Sequence, residues 1–420
     1  MSEFRRPQVA TIVERLGEPP ERLVAVFGPR QTGKTTAVRQ ALEIAGRPYR
    51  FEAVDDPGLP DPPRPGELHA EDLVRQPRRR DCGWLAEVWQ DSRRRAWRSP
   101  QGLVLVLDEI QKIAGWSEVV KGLWDADRSE GCPLHVVILG SAPLLMQAGL
   151  TESLAGRFEP IRFTHWSYAE MAEAFGFDIE RYVFFGGYPG AASRIDDFQR
   201  WSDYVRGALI EPNIERDVLA MTRVDKPALL RRLFYVGAAY SGQVVAYNKL
   251  VGQLQDAGNT TTLTRYLELL SQAGLLTGFS KHTERPVSAK ASTPKLNVLN
   301  TALMAVVSGY TFEEAQLDRT FRGRLAESTV GAHLANTVSP SAAVRYWRDR
   351  HDEVDFVLVR GPQVVGVEVK SGSGSPAAAG IAEFERRFDP RRTVIVGDAG
   401  VPLHEFLSVP ADHWFDAESV

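Results

Sequence analysis

The chain of 420 residues is poor in cysteine, with Cys82 and Cys132 as its only two. That excludes a disulfide scaffold and a multi-cysteine zinc site, and it fits a reducing compartment. Excess charge is also lacking. Lys and Arg number 50 against 54 Asp and Glu, for a net charge of −4. Any nucleic-acid binding must therefore come from local patches, not from a global basic field. The eight histidines are scattered, with no metal-ligand spacing such as H-x-x-x-H. No apolar run approaches the roughly 18–20 residues needed to cross a bilayer. The N-terminus has no apolar core of signal-peptide length. The expectation is a cytoplasmic protein without a membrane partner.

What is present is a normal globular composition, 43% hydrophobic and 25% charged, in a chain long enough for two to four domains. Leu23 to Phe27 is a short apolar run. It ends in Gly28-Pro29-Arg30-Gln31-Thr32-Gly33-Lys34-Thr35, after which Thr36 opens a helical stretch. Strand, glycine-rich loop and helix in that order form the setting of a P-loop. Its backbone N–H groups converge on the phosphates of ATP, and the following helix points its positive end at the anion. Glycine is expected at Gly28 and Gly33 because the chain turns sharply and the phosphates come close. Lys34 supplies charge beside the β- and γ-phosphates, and the Thr35 hydroxyl is a magnesium (Mg2+) ligand.

A second buried run, Leu103 to Leu107, leads straight into Asp108-Glu109. Beside a P-loop, Asp108 would organise the magnesium and Glu109 would polarise an attacking water. A third run, Val136 to Leu139, ends in Gly140-Ser141, and Ser141 could sense the γ-phosphate or orient that water. Arg157 is a candidate arginine finger. Such a finger acts from a neighbouring subunit, which implies a homo-oligomer, either a dimer or a ring, with a hexameric ring as one form. Strands alternating with helices argue for a doubly wound α/β sheet.

From about Trp166 the texture turns helical. Val244 to Gln255 and Thr261 to Ala273 read as two amphipathic helices, followed by two short strands around a basic turn. That order resembles a winged helix. Thr261, Thr262, Thr264 and Arg265 would begin a recognition helix. Lys281, Arg285, Lys290 and Lys295 would be wing contacts to DNA, although a winged helix can equally dock protein. Two arginine clusters, Arg75 with Arg78 to Arg80 and Arg93 to Arg95 with Trp97 and Arg98, read either as a phosphate-tracking surface or as a solvated surface, or one that meets an acidic partner on another subunit. From Val344 strands return. Val354 to Val359 and Val364 to Val369 form a hairpin turned at Gly361-Pro362, which brings Asp355 near Glu368 and Lys370, two residues apart on one face. Glu327 lies on the preceding helix. Acids converging with a lysine could bind one or two magnesium ions and activate water against a phosphodiester; the plainer reading is an exposed strand of alternating charge.

The motifs GPRQTGKTT, LVLDEIQ, VVILGSA, SLAGR and FGGYP, in this order and spacing, resemble the AAA+-like ATPases of bacteria and archaea whose C-terminal half is a DUF4143 domain. The likeness covers nearly the whole chain. It implies that Lys34, Thr35, Asp108, Glu109, Ser141 and Arg157 take the roles given above. The C-terminal pattern resembles the restriction-endonuclease-like, PD-(D/E)xK core. By that likeness Glu327 is the helix acid, Asp355 and Glu368 are metal ligands and Lys370 is the transition-state stabiliser. The expected architecture is α/β: a P-loop ATPase core over residues 1–165, a helical lid or linker over 166–205, a winged helix over 206–300 and a nuclease-like domain over 301–420. The leading functional expectation is an ATPase that remodels or translocates DNA, branched DNA included. A nucleotide-controlled switch in stress or phage defence is the alternative. A small-molecule kinase fits poorly, since Asp108-Glu109 suits water activation.

Overall fold

The computed structural model describes residues 4–55, 80–141, 153–218, 224–246, 249–250, 252, 260–284, 293–370 and 378–416. The chain divides into two compact units, residues 1–163 and 164–420. Among the described residues no helix is long and apolar enough to cross a membrane.

The first unit is built on a five-stranded parallel sheet. Its strands are β1 (Leu23–Phe27), β2 (Tyr49–Ala53), β3 (Leu103–Asp108), β4 (Leu134–Gly140) and β5 (Phe158–Arg162), in the order β2-β3-β4-β1-β5. The apolar runs of β1, β3 and β4 are buried along their whole length, because helices cover both faces of the sheet. Leu23, Ala25, Phe27, Leu105 and Ile138 point to one face and pack on Trp84, Trp89 and Trp124 of α3 (Cys82–Arg98) and α4 (Trp116–Glu130). Val24, Val26, Val106 and Val137 point to the other and meet Ile12, Leu16, Val38 and Leu42 of α1 (Gln8–Gly17) and α2 (Lys34–Ala45). This strict alternation makes a three-layer α/β/α sandwich. In register, Phe27 stands beside Gly140 and Asp108 beside Leu139. The loops leaving β1, β4 and β3 therefore emerge side by side, with β4 in the middle.

The second unit begins with helices α5 (Tyr168–Phe175), α6 (Ile179–Phe185), α7 (Phe198–Tyr204), α8 (Pro227–Ala239) and α9 (Thr260–Gln272). It then adds β6 (Leu276–Lys281) and β7 (Lys295–Val298), helices α10 (Thr301–Ser308), α11 (Phe312–Leu317) and α12 (Arg319–Thr337), and strands β8 (Ala343–Asp349), β9 (Asp352–Arg360) and β10 (Gln363–Lys370). Helix α13 (Ala378–Phe388) crosses to β11 (Arg392–Gly397). A six-stranded sheet, β11-β10-β9-β8-β6-β7, runs through this unit. β8, β9 and β10 are an antiparallel meander, and β11 lies parallel to β10 after the helical crossover. The hairpin β6–β7 does not stand apart as a wing. β6 also pairs with β8, at Ser280 with Arg345 and Lys281 with Tyr346, so one sheet spans the position at residue 300 where a domain boundary is expected.

Candidate functional site

At the end of β1 the chain enters the loop 28–35. A Cβ at Gly28 would collide with the carbonyl oxygen of Phe163, so glycine is required there by a neighbouring backbone and not only by an incoming phosphate. Gln31 and Gly33 take left-handed conformations, with φ of 59° and 84°. They turn the loop so that α2 begins at Lys34 with no side-chain cap on its first turn. The positive end of a twelve-residue helix faces the loop mouth, which suits an anion. Lys34 is buried and donates from Nζ to the carbonyls of Gly28 (2.9 Å) and Pro29 (2.7 Å). Thr32 donates to the Pro29 carbonyl at 3.0 Å, and Arg6 donates to the Thr32 carbonyl at 2.9 Å, bracing the turn. Pro29, Arg30 and Thr35 are half-buried, whereas Gln31 and Thr36 are exposed.

From β3, Asp108 comes to meet this loop. The Thr35 hydroxyl donates to Asp108 Oδ2 at 3.0 Å across 73 residues of sequence. Burial holds the Asp108 pKa above its usual value, against the lowering effect of the Thr35 bond. Glu109 follows in a left-handed conformation, φ 56°, uncommon for a residue with a side chain and a mark of local constraint. Gln111 donates to Glu109 Oε2 at 2.8 Å and so fixes the carboxylate. From β4, between the two, comes Ser141. Its hydroxyl is buried and has no hydrogen-bond partner among the described residues. An orphaned hydroxyl costs free energy unless something else satisfies it. The three strand ends thus present an anion cradle, a hydroxyl–carboxylate pair of hard oxygens suited to magnesium, a held carboxylate and an unsatisfied hydroxyl.

Arg157 lies at the other end of the sheet. Its carbonyl accepts from Leu23 N–H at 2.9 Å, at the start of β1. The loop at the far end is about 13 Å away along the strand, so Arg157 cannot serve its own subunit's loop. Asp125 of α4 clamps it, with Nε at 2.7 Å and Nη2 at 3.0 Å. The pair lowers the Asp125 pKa and raises that of Arg157.

In the second unit the predicted acids come together, on β9, β10 and α12. The β9–β10 hairpin turns at Gly361, φ 58°. Asp355 N–H donates to Glu368 Oε2 at 3.3 Å, and Val369 N–H donates to Asp355 Oδ2 at 2.9 Å. Lys370 pairs with Glu368 at 2.5 Å. Helix α12 lies close on the sheet because Gly331 carries no side chain; a Cβ there would stand 2.5 Å from Asn297 Oδ1 and 2.8 Å from the Phe356 ring. One turn earlier, that approach brings Glu327 down onto the same spot.

Lys295 completes the cluster, and this corrects its expected place as a wing contact. It is only 3% exposed, and its ammonium lies 2.5 Å from Glu327 Oε1 and 3.1 Å from Asp355 Oδ1. It also donates to the Asp355 carbonyl at 3.1 Å and sits 4.5 Å from the centre of the Phe356 ring. Three carboxylates thus face two ammonium groups. Burial first, then the charge of Asp355, pushes the Glu327 and Glu368 pKa values up to about 7, while Asp355 and Glu327 hold Lys295 charged well above the usual lysine range. Among the described residues no group of three or more His, Cys, Asp or Glu is placed to hold a metal ion.

The remaining DNA candidates are spread out. On α9, Thr261 and Arg265 are exposed and Thr262 and Thr264 half-buried, with Leu263, Tyr266 and Leu267 forming the packed face. Thr264 bonds back to the Thr260 carbonyl at 3.0 Å. Lys281 ends β6 in the sheet interior edge-to-edge with β8. Arg285, Lys290, Arg75, Arg78 and Arg79 lie outside the described residues. On α3, Arg93 meets the fully buried Asp127 at 2.5 Å and Arg94 and Arg95 meet Asp91 at 3.3 and 2.8 Å, while Trp97 and Arg98 are exposed. Sequence reading missed Gln111, Asp125 and the role of Lys295; each acts on a partner on another element or across a turn, and none has a motif of its own.

A parallel α/β/α sheet with a loop of this shape at the end of β1 and an acidic strand end one strand beyond β4 defines a P-loop domain of the AAA type. Comparison with known proteins agrees. Residues 20–172 match the AAA domain family, residues 176–314 a domain of unknown function (DUF8612), and residues 322–411 the domain of unknown function DUF4143. The chain therefore joins an AAA domain to a C-terminal DUF4143 domain.

Among solved structures, a Walker-type ATPase of Pyrococcus abyssi is 16% identical, with a TM-score of 0.46, over 73% of this chain and 96% of that one. The RuvB Holliday junction branch migration motor of Thermotoga maritima is 17% identical with a TM-score of 0.31, over 68% and 92%. The Orc1 protein of Aeropyrum pernix, in complex with DNA, is 12% identical with a TM-score of 0.29, over 76% and 96%. No curated protein matches the chain.

Proposed function

We propose that this protein is a magnesium-dependent ATPase that spends hydrolysis on DNA held by its second unit. The observation that carries the ATPase reading is the meeting of Thr35 with Asp108 at 3.0 Å beside the buried Ser141 hydroxyl, which has no partner among the described residues. Residues 28–36 bind the triphosphate, with the N-terminus of α2 and Lys34 supplying positive charge. Thr35 and Asp108 would hold magnesium, which neutralises developing charge on the phosphates. Glu109, fixed by Gln111, orients and deprotonates the attacking water. Ser141 donates to that water or to the γ-phosphate. Arg157, too far from its own loop, completes the site of a neighbouring subunit, so the working form is a homo-oligomer such as a hexameric ring.

Support for DNA is the nuclease-like succession of β8–β10, α13 and β11, with exposed Thr261 and Arg265 at the start of α9. The test is phosphate release with and without single-stranded, double-stranded and branched DNA. DNA-stimulated turnover that vanishes in Glu109→Gln supports the reading. Turnover that DNA neither stimulates nor accompanies with binding removes the DNA part and leaves a nucleotide-controlled switch. Phosphorylated product in place of free phosphate would make it a kinase.

A further inference from the structure

We propose that the Lys295 ammonium is the resident cation of the Glu327–Asp355 pair, taking up the Asp355 carboxylate that a nuclease-like core would give to its divalent metal together with Glu368, so that the second unit does not cut phosphodiesters. This concerns the second unit alone and stands whether or not the first hydrolyses ATP.

The geometry carries it. A lysine ammonium has three N–H donors. At Lys295 all three have an acceptor: Glu327 Oε1, Asp355 Oδ1 and the Asp355 carbonyl. The Phe356 ring closes the fourth side at 4.5 Å. A magnesium ion bridging the same two acids would need its oxygens at about 2.1 Å, which places it in the volume the ammonium fills. Ammonium and dication cannot share that volume; the second oxygen of Asp355 is taken by the N–H of Val369, and the close approach of α12 at Gly331 sets Glu327 onto the same ammonium. The third acid is also taken, since Glu368 holds Lys370 at 2.5 Å. Lys295 is held in place by its position within the buried strand β7 and by its three acceptors. A cavity of about 350 Å³ reaches Lys295 and Glu327 from the side of Gln243, Arg348 and Glu353, so absence of access is not what keeps a metal out.

The experiment uses the full chain without nucleotide and titrates Mn2+ by calorimetry, with Asp355→Asn as the blank for every other site. The wild type should show no Mn2+ binding that depends on Asp355. Lys295→Met should gain one Mn2+ site, and adding Asp355→Asn should abolish it. Asp355-dependent Mn2+ binding in the wild type would overturn the proposal, as would a folded Lys295→Met chain that gains none. Should Lys295→Met not fold, Lys295→Met/Glu327→Gln removes one charge of each sign; recovery of folded protein supports the neutralising role, and no recovery refutes it. In parallel, wild type with Mg2+ should leave single-stranded, double-stranded and branched DNA intact. Cutting that Asp355→Asn abolishes would overturn the claim directly.

Discussion

Both units bury a lysine in a polar cluster, and they surround it in opposite ways. Around Lys34, whose ammonium donates to the loop carbonyls of Gly28 and Pro29, the first turn of α2 has no side-chain cap and the Ser141 hydroxyl has no partner among the described residues. Around Lys295 everything is closed, with each ammonium proton assigned and each acid engaged. Open polar valence inside a protein is costly and persists where a ligand completes it. Closed valence is architecture. Two charge clusters that look equally chemical in sequence therefore have different uses.

The largest expected effect breaks the closed cluster. Lys295→Met leaves buried carboxylates uncompensated and should cost about 3–5 kcal/mol of stability, read by urea denaturation of the full chain. Adding Glu327→Gln should return much of it; no recovery would mean that Lys295 stabilises by packing alone. The matching change in the open cluster should do the reverse. Lys34→Ala should leave the urea midpoint near that of the wild type, since its ammonium donates to carbonyls of its own loop and leaves no buried carboxylate pair behind, yet lower kcat for ATP hydrolysis by about 10²–10³-fold. A large loss of stability in Lys34→Ala would erase the contrast.

A smaller effect sharpens the comparison through pH. Burial and the Asp355 charge raise Glu327 from its ordinary 4.5 to about 7. Between those values the folded chain binds a proton that the unfolded chain does not. The contribution to stability is thus full below pH 4.5 and is lost as pH rises through about 7, a change of about 3 kcal/mol at most. The difference in unfolding free energy between wild type and Glu327→Gln should follow that curve. A flat difference over this window would show that Glu327 stays ionised beside Lys295.

Legibility in the sequence divides along the same line. The nucleotide loop was readable because its chemistry is contiguous and flanked by buried runs, Leu23–Phe27 and Leu103–Asp108. The reason for Gly28 was only half readable, since the collision is with Phe163, 135 positions away in sequence. The acids Glu327, Asp355 and Glu368 were readable as a group from hairpin logic. Lys295 was not. Lys295-Leu296-Asn297-Val298 alternates polar and apolar like a half-exposed strand, yet all four are buried, because α12 covers the face that alternation assigns to solvent. Its partners lie 32 and 60 residues downstream, and no local pattern links them. The partners of the α3 arginines were unreadable for a related reason: Asp127, the buried acceptor of Arg93, sits on a different helix.

The smallest expected effect concerns Arg157, which the proposed function assigns to the site of a neighbouring copy. In the isolated subunit Asp125 claims both sides of its guanidinium, at 2.7 and 3.0 Å. The pair is exposed, and exposed pairs contribute little to stability, so Asp125→Ala should leave the denaturation curve unchanged. If Arg157 must leave Asp125 to reach a neighbour's phosphates, the same variant removes a competitor. Turnover should then rise modestly, by no more than about fivefold given the worth of such a pair, and only at protein concentrations where subunits associate. Arg157→Ala should abolish the concentration dependence. A rise in Asp125→Ala that is the same at every concentration would place Asp125 in the service of its own subunit's loop, contrary to the roughly 13 Å of sheet between them.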